Sequence, residues 1–245
     1  MSAKARLSDT QLEALRRIDS PTIANAVELF GVRPHVAGFM GWDVRCLFPE
    51  LGVMVGYAVT ATCDSQTEEA LRDRLPWWHV LQAVDASPKP AVLVMQDVGT
   101  RRTHSCHFGD GMASVSRRLG AIGLITDGGV RDLAGCRALG FHYFAPGVTV
   151  SHGQHRIVDA RVPVEVSGLR IEPGDLVHAD ENGVVLIPAD VAERVVAAAE
   201  EVLRQESEAI GFYRGESFSM DGLARRLGVD AAGPTTSRSG EVTKR

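Results

Sequence analysis

The sequence predicts an α/β fold, and two observations carry this prediction. From Cys106 to Gly147 the chain alternates between a loop, an amphipathic helix, a short apolar run and a second helix, with glycine at the boundaries. Beyond Gly147, short β-branched segments are separated by turn-forming pairs. An α/β order followed by a β-rich half indicates sheets that are covered by helices.

The N-terminal part is predicted to hold two helices, an irregular loop and a strand. Apolar residues at helical spacing predict a helix over Thr10–Asp19, and Ser20-Pro21 as N-cap and first residue predict a second helix. Glycine and proline recur from Val32 to Leu51, which predicts an irregular loop. The β-branched residues of Val53–Thr62 predict the first strand.

The middle of the chain is predicted to continue the alternation. Pro76 divides the helical pattern of Asp64–Asp85, so two helical pieces are expected there. The elements predicted after it are the strand Ala91–Met95 ending at Asp97, the helix Met112–Leu119, the strand Ala121–Thr126 and the helix Val130–Leu139.

The C-terminal part is predicted to be strands followed by helices. The predicted elements are strands Arg156–Val166, Gly168–Ile171, Leu176–Ala179 and Val184–Ile187, a long helix Ala189–Phe212 and a short helix near Leu223–Leu227. We expect one domain over residues 1–230, including this helical extension. The Gly/Ser/Thr-rich residues 231–245 are expected to be a disordered tail.

Composition narrows the class of protein. A hydrophobic fraction of 44%, a charged fraction of 23% and a net charge of −5 are typical of a globular protein and do not indicate a nucleic-acid or membrane partner. The N-terminus lacks the apolar core of a signal peptide, so a cytoplasmic location is expected. The four cysteines show no C-x-x-C pairing and are expected to be reduced thiols, several of them buried.

The residues that carry chemistry are expected around two helix starts. Gly109-Asp110-Gly111 opens a helix, whose first amides and dipole favour a carboxylate or phosphate. Arg131 and Asp132 are expected in the first turn of the next helix. A guanidinium there can hold a second anionic oxygen, and a carboxylate can hold Mg²⁺, which commonly keeps several waters.

A lone Arg-Asp pair at a helix start is usually a cap and a solvated charge, so the set of residues matters more than the pair. Twenty residues separate Asp110 from Arg131-Asp132, and DGGVRD closes a strand. Gly109–Gly147, with PGD and ADENGVVLIP further on, resembles the RraA-like superfamily, which joins metal-dependent pyruvate aldolases to regulators of ribonuclease activity. The spacing is similar to that of its aldolase branch, typified by 4-hydroxy-4-methyl-2-oxoglutarate/4-carboxy-4-hydroxy-2-oxoadipate aldolase, and the resemblance covers Ser20–Gly228.

The resemblance implies an αββα sandwich of the swivelling-domain-like type with helical N- and C-terminal extensions. It also implies a homotrimer or homohexamer with sites between subunits, a 2-oxo acid substrate and Mg²⁺ or Mn²⁺ as cofactor. The implied roles are metal anchor for Asp132, keto-oxygen donor for Arg131, proton steering for Asp110, an acid from the neighbouring subunit for Glu216, and carboxylate binding by the backbone of Gly109, Asp110, Gly111, Met112 and Ala113.

The leading hypothesis is therefore metal-dependent cleavage of a 4-hydroxy-2-oxo acid to pyruvate and a second carbonyl compound, with oxaloacetate decarboxylation as a side activity. The alternative is a non-enzymatic regulator that binds a ribonuclease; the C-terminal segment Tyr213–Gly228, similar to the one that closes the aldolase branch, favours the enzyme. A quinone methyltransferase is disfavoured, since DGG lacks the G-x-G pattern of a nucleotide loop.

Several other residues have a structural explanation that competes with a functional one. The histidines and cysteine of THSCH and SHGQH suggest metal ligands but lack a zinc-site spacing; these are His104, Cys106, His107, His152 and His155. His107 is still expected to border the pocket. Trp77-Trp78 can shape a substrate pocket, although core packing is the simpler interpretation, and the same holds for Asp64. Asp127 is expected to form a turn.

Overall fold

The computed structural model describes residues 6–64, 74–153 and 156–229, and the chain divides into two compact units, Met1–Val202 and Leu203–Arg245. Helices are α1 Asp9–Leu15, α2 Ser20–Glu28, α3 Leu75–Ala86, α4 Asp110–Arg118, α5 Leu133–Ala138, α6 Val195–Arg214 and α7 Met220–Leu227. Strands are β1 Arg45–Cys46, β2 Met54–Asp64, β3 Ala91–Asp97, β4 Ala121–Thr126, β5 His142–Ala145, β6 Arg156–Ala160, β7 Val164–Val166, β8 Leu169–Ile171, β9 Leu176–Asp180 and β10 Gly183–Ile187. The predicted α/β class is confirmed.

One mixed sheet forms the centre of the first unit. Its order is β1-β5-β4-β3-β2-β9-β10, and β6 also pairs with β2. Strands β2, β3, β4 and β5 are parallel to one another, and β1 pairs antiparallel with β5. Strand β9 pairs with the first half of β2 and β6 with its second half, both antiparallel. The carboxyl ends of β2, β3, β4 and β5 therefore lie along one edge, which is where open α/β sheets bind ligands.

Alternation along the parallel strands separates two buried faces. In β3, Leu93 and Met95 pack in a cluster that includes residues of α3, α4 and α5. The intervening Val92 and Val94 pack against the opposite cluster, which includes the β7-β8 hairpin. Successive side chains of a strand point to opposite faces, and here both faces are covered. The sequences of these strands are therefore continuous apolar runs.

The start of α2 differs from the prediction by one residue. Asp19, not Ser20, is the N-cap, because its carboxylate accepts the amide of Thr22 at 2.7 Å. The Ser20 hydroxyl is instead 2.9 Å from Nδ1 of the buried His178 in β9. The amide of Ser20 donates to the Asp180 carboxylate at 2.7 Å, so polar contacts tie the helix start to the sheet.

Four further predictions needed correction. Pro76 lies in the first turn of α3 and begins that helix rather than interrupting it, as its missing amide allows; residues 65–73, where the first piece was expected, lie outside the described ranges. Helix α5 begins three residues later than predicted. The run 156–166 forms two strands, β6 and β7, and the long helix begins at Val195 after a 3₁₀ turn.

Two strands were not predicted at all. Strand β1 has two residues within the segment interpreted as an irregular loop, and β5 is a four-residue apolar run between the glycines at 140 and 147. Both are too short to show a periodicity of their own. Their pairing with each other and with β4 makes them strands.

The second unit consists, in its described part, of the C-terminal portion of α6, a turn and α7. Phe212 packs against Phe218 with ring centroids 5.6 Å apart, and the Arg226 guanidinium lies over the Phe212 ring at 4.8 Å. Ser219 caps α7 by accepting the amide of Gly222 at 3.1 Å. These contacts make the unit a small helical hairpin, and the predicted tail 231–245 lies outside the described residues.

His142 in β5 should make folding stability depend on pH. Burial, followed by the charge of Arg117, lowers the pKa of this side chain from 6.5 to about 4. The unfolded chain then binds a proton more readily than the folded one, so stability is complete above pH 6.5 and falls as the pH drops towards 4. We expect the contribution of His142 to the free energy of urea unfolding to be about 2 kcal/mol lower at pH 5 than at pH 7.5.

The control for this prediction compares two histidines. His178 also has a lowered pKa through burial and adds to the wild-type slope, so the test is a difference between variants. His142→Leu should reduce the slope, whereas the same change at the exposed His79 should leave it unaltered. An unchanged slope in His142→Leu would contradict the assignment.

Candidate active site

The candidate site lies where α4 begins, beside the segment that follows β4. Gly109 is the N-cap of α4 in an extended conformation, and it provides no side-chain cap. The amide of the next residue, Asp110, donates to Oδ2 of Asp132 at 3.2 Å. A carboxylate from a distant part of the chain thus partly caps the helix, which its dipole favours.

Arg131 and Asp132 precede α5, which corrects their predicted place in its first turn. Asp132 is the N-cap and adopts a left-handed conformation, with φ 58° and ψ 43°. Aspartate tolerates this conformation better than most residues, at a cost of about 1–2 kcal/mol. Arg131 Nε lies 3.3 Å from Asp132 Oδ2, and its amide donates to the Phe108 carbonyl at 3.1 Å.

Glycine at position 109 is required by the closeness of this pair. A Cβ there would lie 2.3 Å from Asp132 Oδ2 and 3.1 Å from Arg131 Nε. Its φ of −147° is open to any residue, so the requirement is steric rather than conformational. The site is therefore built on direct contact between the α4 N-terminus and the two charged side chains.

A cavity of about 190 Å³ opens over this contact. Its lining is His107, Phe108, Gly109, Asp110, Gly111, Met112, Arg131, Asp132 and His152. The side chains of Arg131 and Asp132 are about one-third exposed. One concave surface thus combines a guanidinium, two carboxylates and the first amides of a helix, a combination suited to a small dianionic or cation-bound ligand.

Two predicted site residues, Ala113 and Glu216, are not among the residues that line this cavity. The side chain of Ala113 is fully buried, and its amide donates to the Gly109 carbonyl at 3.0 Å, so Ala113 offers no donor to a ligand. Glu216 is exposed in the turn between α6 and α7 of the second unit. The predicted contribution of Glu216 to catalysis therefore remains a prediction.

The donor set fits a cation that keeps much of its water. Within residues 6–64, 74–153 and 156–229, no group of three or more His, Cys, Asp or Glu side chains is placed to hold a metal ion. Within those described residues, the Asp110 amide and the Arg131 guanidinium both contact the same oxygen of Asp132, Oδ2. A single carboxylate with one oxygen turned away from these contacts is compatible with hydrated Mg²⁺ and incompatible with a closed zinc site.

Behind the cavity lies a buried polar network that the sequence did not predict. Asp97, at the end of β3, accepts the amide of Gly99 at 2.7 Å and the hydroxyl of Ser105. The amide of Asp97 donates to Asp127 at 2.7 Å, and Arg102 lies 2.9 Å from the other oxygen of Asp127. Burial raises the pKa of Asp127, while Asp97 and Arg102 oppose the shift through a backbone hydrogen bond and a charge. Asp127 thus anchors the loop as well as bending the chain.

The other residues that the sequence suggested as functional lie in the core, at the surface or outside the described residues. Trp77 packs edge-on against Phe108 with centroids 6.3 Å apart, in the core, whereas Trp78 is 55% exposed. His104 is exposed in a 3₁₀ turn, and His155 is outside the described residues. The four cysteines are free, as predicted. Burial raises the pKa of the Cys136 thiol to about 11, so it is neutral at physiological pH.

Comparison with known proteins agrees with this architecture. The family described as RraA-like (Aldolase/RraA) matches residues 20–186, and the chain belongs to this family. A protein of Halalkalibacterium halodurans named "Putative 4-hydroxy-4-methyl-2-oxoglutarate aldolase" is 34% identical over 122 residues, 49% of this chain and 57% of that protein. Protein DlpA of Legionella pneumophila is 31% identical over 115 residues, 46% of this chain and 18% of its own length.

The chain therefore spans little more than half of one of these relatives and a fifth or less of the other.

Among solved structures, Streptomyces coelicolor RraAS2, an unusual member of the RNase ES inhibitor RraA protein family, superposes with a TM-score of 0.65 at 26% identity, covering 84% of this chain and 98% of that one. An uncharacterized Pseudomonas syringae protein gives 0.70 at 22% identity, covering 92% and 97%, and shows the fold alone. The RraA-like fold class is confirmed.

The chain offers no sign of a membrane crossing in the part that the structure describes. None of the helices there combines the length and apolar character that a span requires.

Proposed function

We propose that this protein is a divalent-metal-dependent pyruvate aldolase that cleaves a 4-hydroxy-2-oxo acid to pyruvate and a second carbonyl compound, with oxaloacetate decarboxylation as a side activity. The observation that carries the proposal is the convergence of Asp110, Arg131 and Asp132 on one cavity at the N-terminus of α4. Both reactions generate the enolate of pyruvate, so one arrangement of charges serves both. Membership of the family and the 34% identical relative support the same chemistry.

The substrate carboxylate would bind at the start of α4. Of the amides in its first turn, that of Asp110 is engaged by Asp132 and that of Ala113 by Gly109. The amides of Gly111 and Met112 lie between them in the chain, and both residues line the cavity. Together with the helix dipole, these two donors are suited to one carboxylate group.

Arg131 would act at the keto oxygen. Negative charge develops there as the bond between C3 and C4 breaks and its electrons move into the enolate. A guanidinium that is held by Asp132 and by its own backbone hydrogen bond is already oriented when this charge appears. An interaction that is stronger in the transition state than with bound substrate is the kind that accelerates the reaction.

Asp132 would hold the cation, and Asp110 would handle the proton. When bound, Mg²⁺ or Mn²⁺ supplies Lewis acidity that polarises the 2-oxo acid. The Asp110 side chain lies at the mouth of the same cavity, close to Gly135, where an added Cβ would be 3.1 Å from its Oδ2. In this proposal it would accept the proton of the C4 hydroxyl directly or through a water.

The direct test is pyruvate release from 4-hydroxy-4-methyl-2-oxoglutarate and from oxaloacetate. We expect release that requires Mg²⁺ or Mn²⁺, is abolished by a chelator and returns when the cation is restored. Oxaloacetate decarboxylation above the metal-only blank without aldol cleavage would indicate a different C4 substituent in the natural substrate. Absence of both reactions would contradict the proposal.

We further propose that the protein is a homotrimer or homohexamer in which Glu216 of one subunit completes the site of its neighbour. Glu216 lies in an exposed turn, as a residue offered to another subunit must. Arg131→Ala and Glu216→Gln should each be inactive alone. Mixing the two after dissociation should restore activity, because some sites would then receive intact residues from both chains. Failure of the mixture, with Glu216→Gln fully active alone, would exclude this role.

One observation favours a second candidate, a regulator that binds a ribonuclease. The RraAS2 structure, whose family is named for RNase ES inhibition, matches nearly its whole length to this chain. Inhibition of a ribonuclease by purified protein, retained in Arg131→Ala and unaffected by chelator, would support this function.

A further inference from the structure

The buried histidine in the wall of the cavity has no part in the proposed chemistry, yet its contacts reach the ends of two strands. His107 is 1% exposed, and its side chain is fully enclosed. Its Nε2 lies 3.1 Å from the hydroxyl of Thr126, the last residue of β4. Its Nδ1 lies 4.0 Å from the carboxylate of Asp97, at the end of β3.

The turn after β4 rests directly on this imidazole. The Thr126 hydroxyl also accepts the amide of Gly128 at 3.1 Å, so one hydroxyl joins the ring to the turn. A Cβ at Gly128 would lie 2.5 Å from His107 Cε1, and one at Gly129 would lie 2.2 Å from the Ser105 carbonyl oxygen. The loop and the turn are therefore in contact with no room for a side chain between them.

Both parts of the site, the α4 N-terminus and the Arg131-Asp132 pair, follow this contact closely in the sequence. One residue separates His107 from the N-cap Gly109, and two residues separate Gly128 from Arg131. Between them the amide of Arg131 donates to the Phe108 carbonyl. If the turn after β4 shifted relative to the His107 ring, Arg131 and Asp132 would therefore move relative to the amides of α4.

We propose that His107 is a positioning residue, which through the Thr126 hydroxyl fixes the distance between the α4 N-terminus and the Arg131-Asp132 pair. Its effect on the backbone stands independently; its effect on catalysis rests on the proposed function. The essential contact is the one between His107 Nε2 and the Thr126 hydroxyl, because the same hydroxyl accepts the Gly128 amide.

Two pairs of variants separate this contact from burial alone. A glutamine side chain can place a polar atom near the position of Nε2, whereas asparagine reaches only that of Nδ1. His107→Gln should therefore retain the function and His107→Asn should lose it. In the same way, Thr126→Ser retains the hydroxyl and Thr126→Val removes it. Thr60→Val is the matched control, since Thr60 is equally buried in β2 and its hydroxyl has no hydrogen-bond partner within the described residues.

Hydrogen exchange followed by mass spectrometry tests the positioning without any activity. In His107→Asn and Thr126→Val, we expect exchange in residues 127–133 to accelerate roughly five- to tenfold, the factor that corresponds to one hydrogen bond. Exchange in β9 and β10 should not change, which excludes global destabilisation. His107→Gln, Thr126→Ser and Thr60→Val should resemble the wild type. Equal exchange in all variants would overturn the proposal.

Kinetics then test the consequence. With pyruvate release as the assay, the two disruptive variants should lower kcat by a similar factor with little change in KM, because Arg131 acts in the transition state. If the wild type forms no pyruvate but exchange responds as expected, the proposed function fails and the positioning role stands. If the wild type is active, but His107→Asn is as active as His107→Gln, the positioning role is contradicted.

Discussion

Replacing Arg131 with alanine should lower kcat for pyruvate formation by about 100-fold or more, the loss typical of removing one donor to a developing oxyanion. The protein should remain folded, because the guanidinium is one-third exposed and its ion pair with Asp132 is of the kind that contributes at most about 1 kcal/mol. Steady-state kinetics with saturating Mg²⁺ measure the effect, and thermal unfolding verifies the fold. Arg131→Lys should recover only part of the loss, since lysine keeps the charge but not the planar fork.

Arg137 supplies the matched control for this experiment. It lies on α5, pairs with Glu50 at 2.7 Å and covers the Phe48 ring at 4.7 Å, outside the cavity. Arg137→Ala removes a more exposed arginine from the neighbouring helix, and we expect kcat close to that of the wild type. A near-normal kcat in Arg131→Ala, or an equal loss in both variants, would contradict the assigned role of Arg131.

The parts of the fold that local sequence determines were predicted well. Ala121–Thr126 was predicted with its observed bounds, because an apolar run between glycines has one simple interpretation. Helix α4 was predicted from Met112, and it begins two residues earlier, at Asp110, within the Gly-Asp-Gly sequence that was expected to open it. The spacing from Asp110 to Arg131-Asp132 led to the prediction of one site through its resemblance to the RraA-like family, and the structure brings these three residues to one cavity.

The parts that depend on distant contacts were not predictable from local patterns. The left-handed conformation of Asp132 is stabilised by its contact with the Asp110 amide, 22 positions away. The network of Asp97, His107 and Thr126 joins the ends of two strands to a loop, and these residues show no common spacing. His107 was considered only as a metal ligand or a residue bordering the pocket, because its sequence neighbours do not reveal that it lies beneath a turn.

The contact between Gly109 and Asp132 provides the most stringent test of the site geometry. In Gly109→Ala the new methyl group would lie 2.3 Å from Asp132 Oδ2, where ordinary contact begins near 3.4 Å. Asp132 must therefore move by about 1 Å, and a misplacement of that size can cost roughly 100-fold in rate. We expect kcat/KM to fall by about that factor, and the Mn²⁺ concentration for half-maximal activity to rise.

Gly111→Ala separates this steric effect from the general consequence of adding a methyl group to α4. Position 111 has nothing within 4 Å of an added Cβ, although it lies two residues away on the same helix and lines the same cavity. Alanine should stabilise the helix there by about 0.5–1 kcal/mol, seen as a higher midpoint in urea. This variant is a control for folding only, because Gly111 itself is proposed to bind the substrate carboxylate. If Gly109→Ala retained full activity, Asp132 could not be required at its observed position, because the two groups cannot occupy that space together.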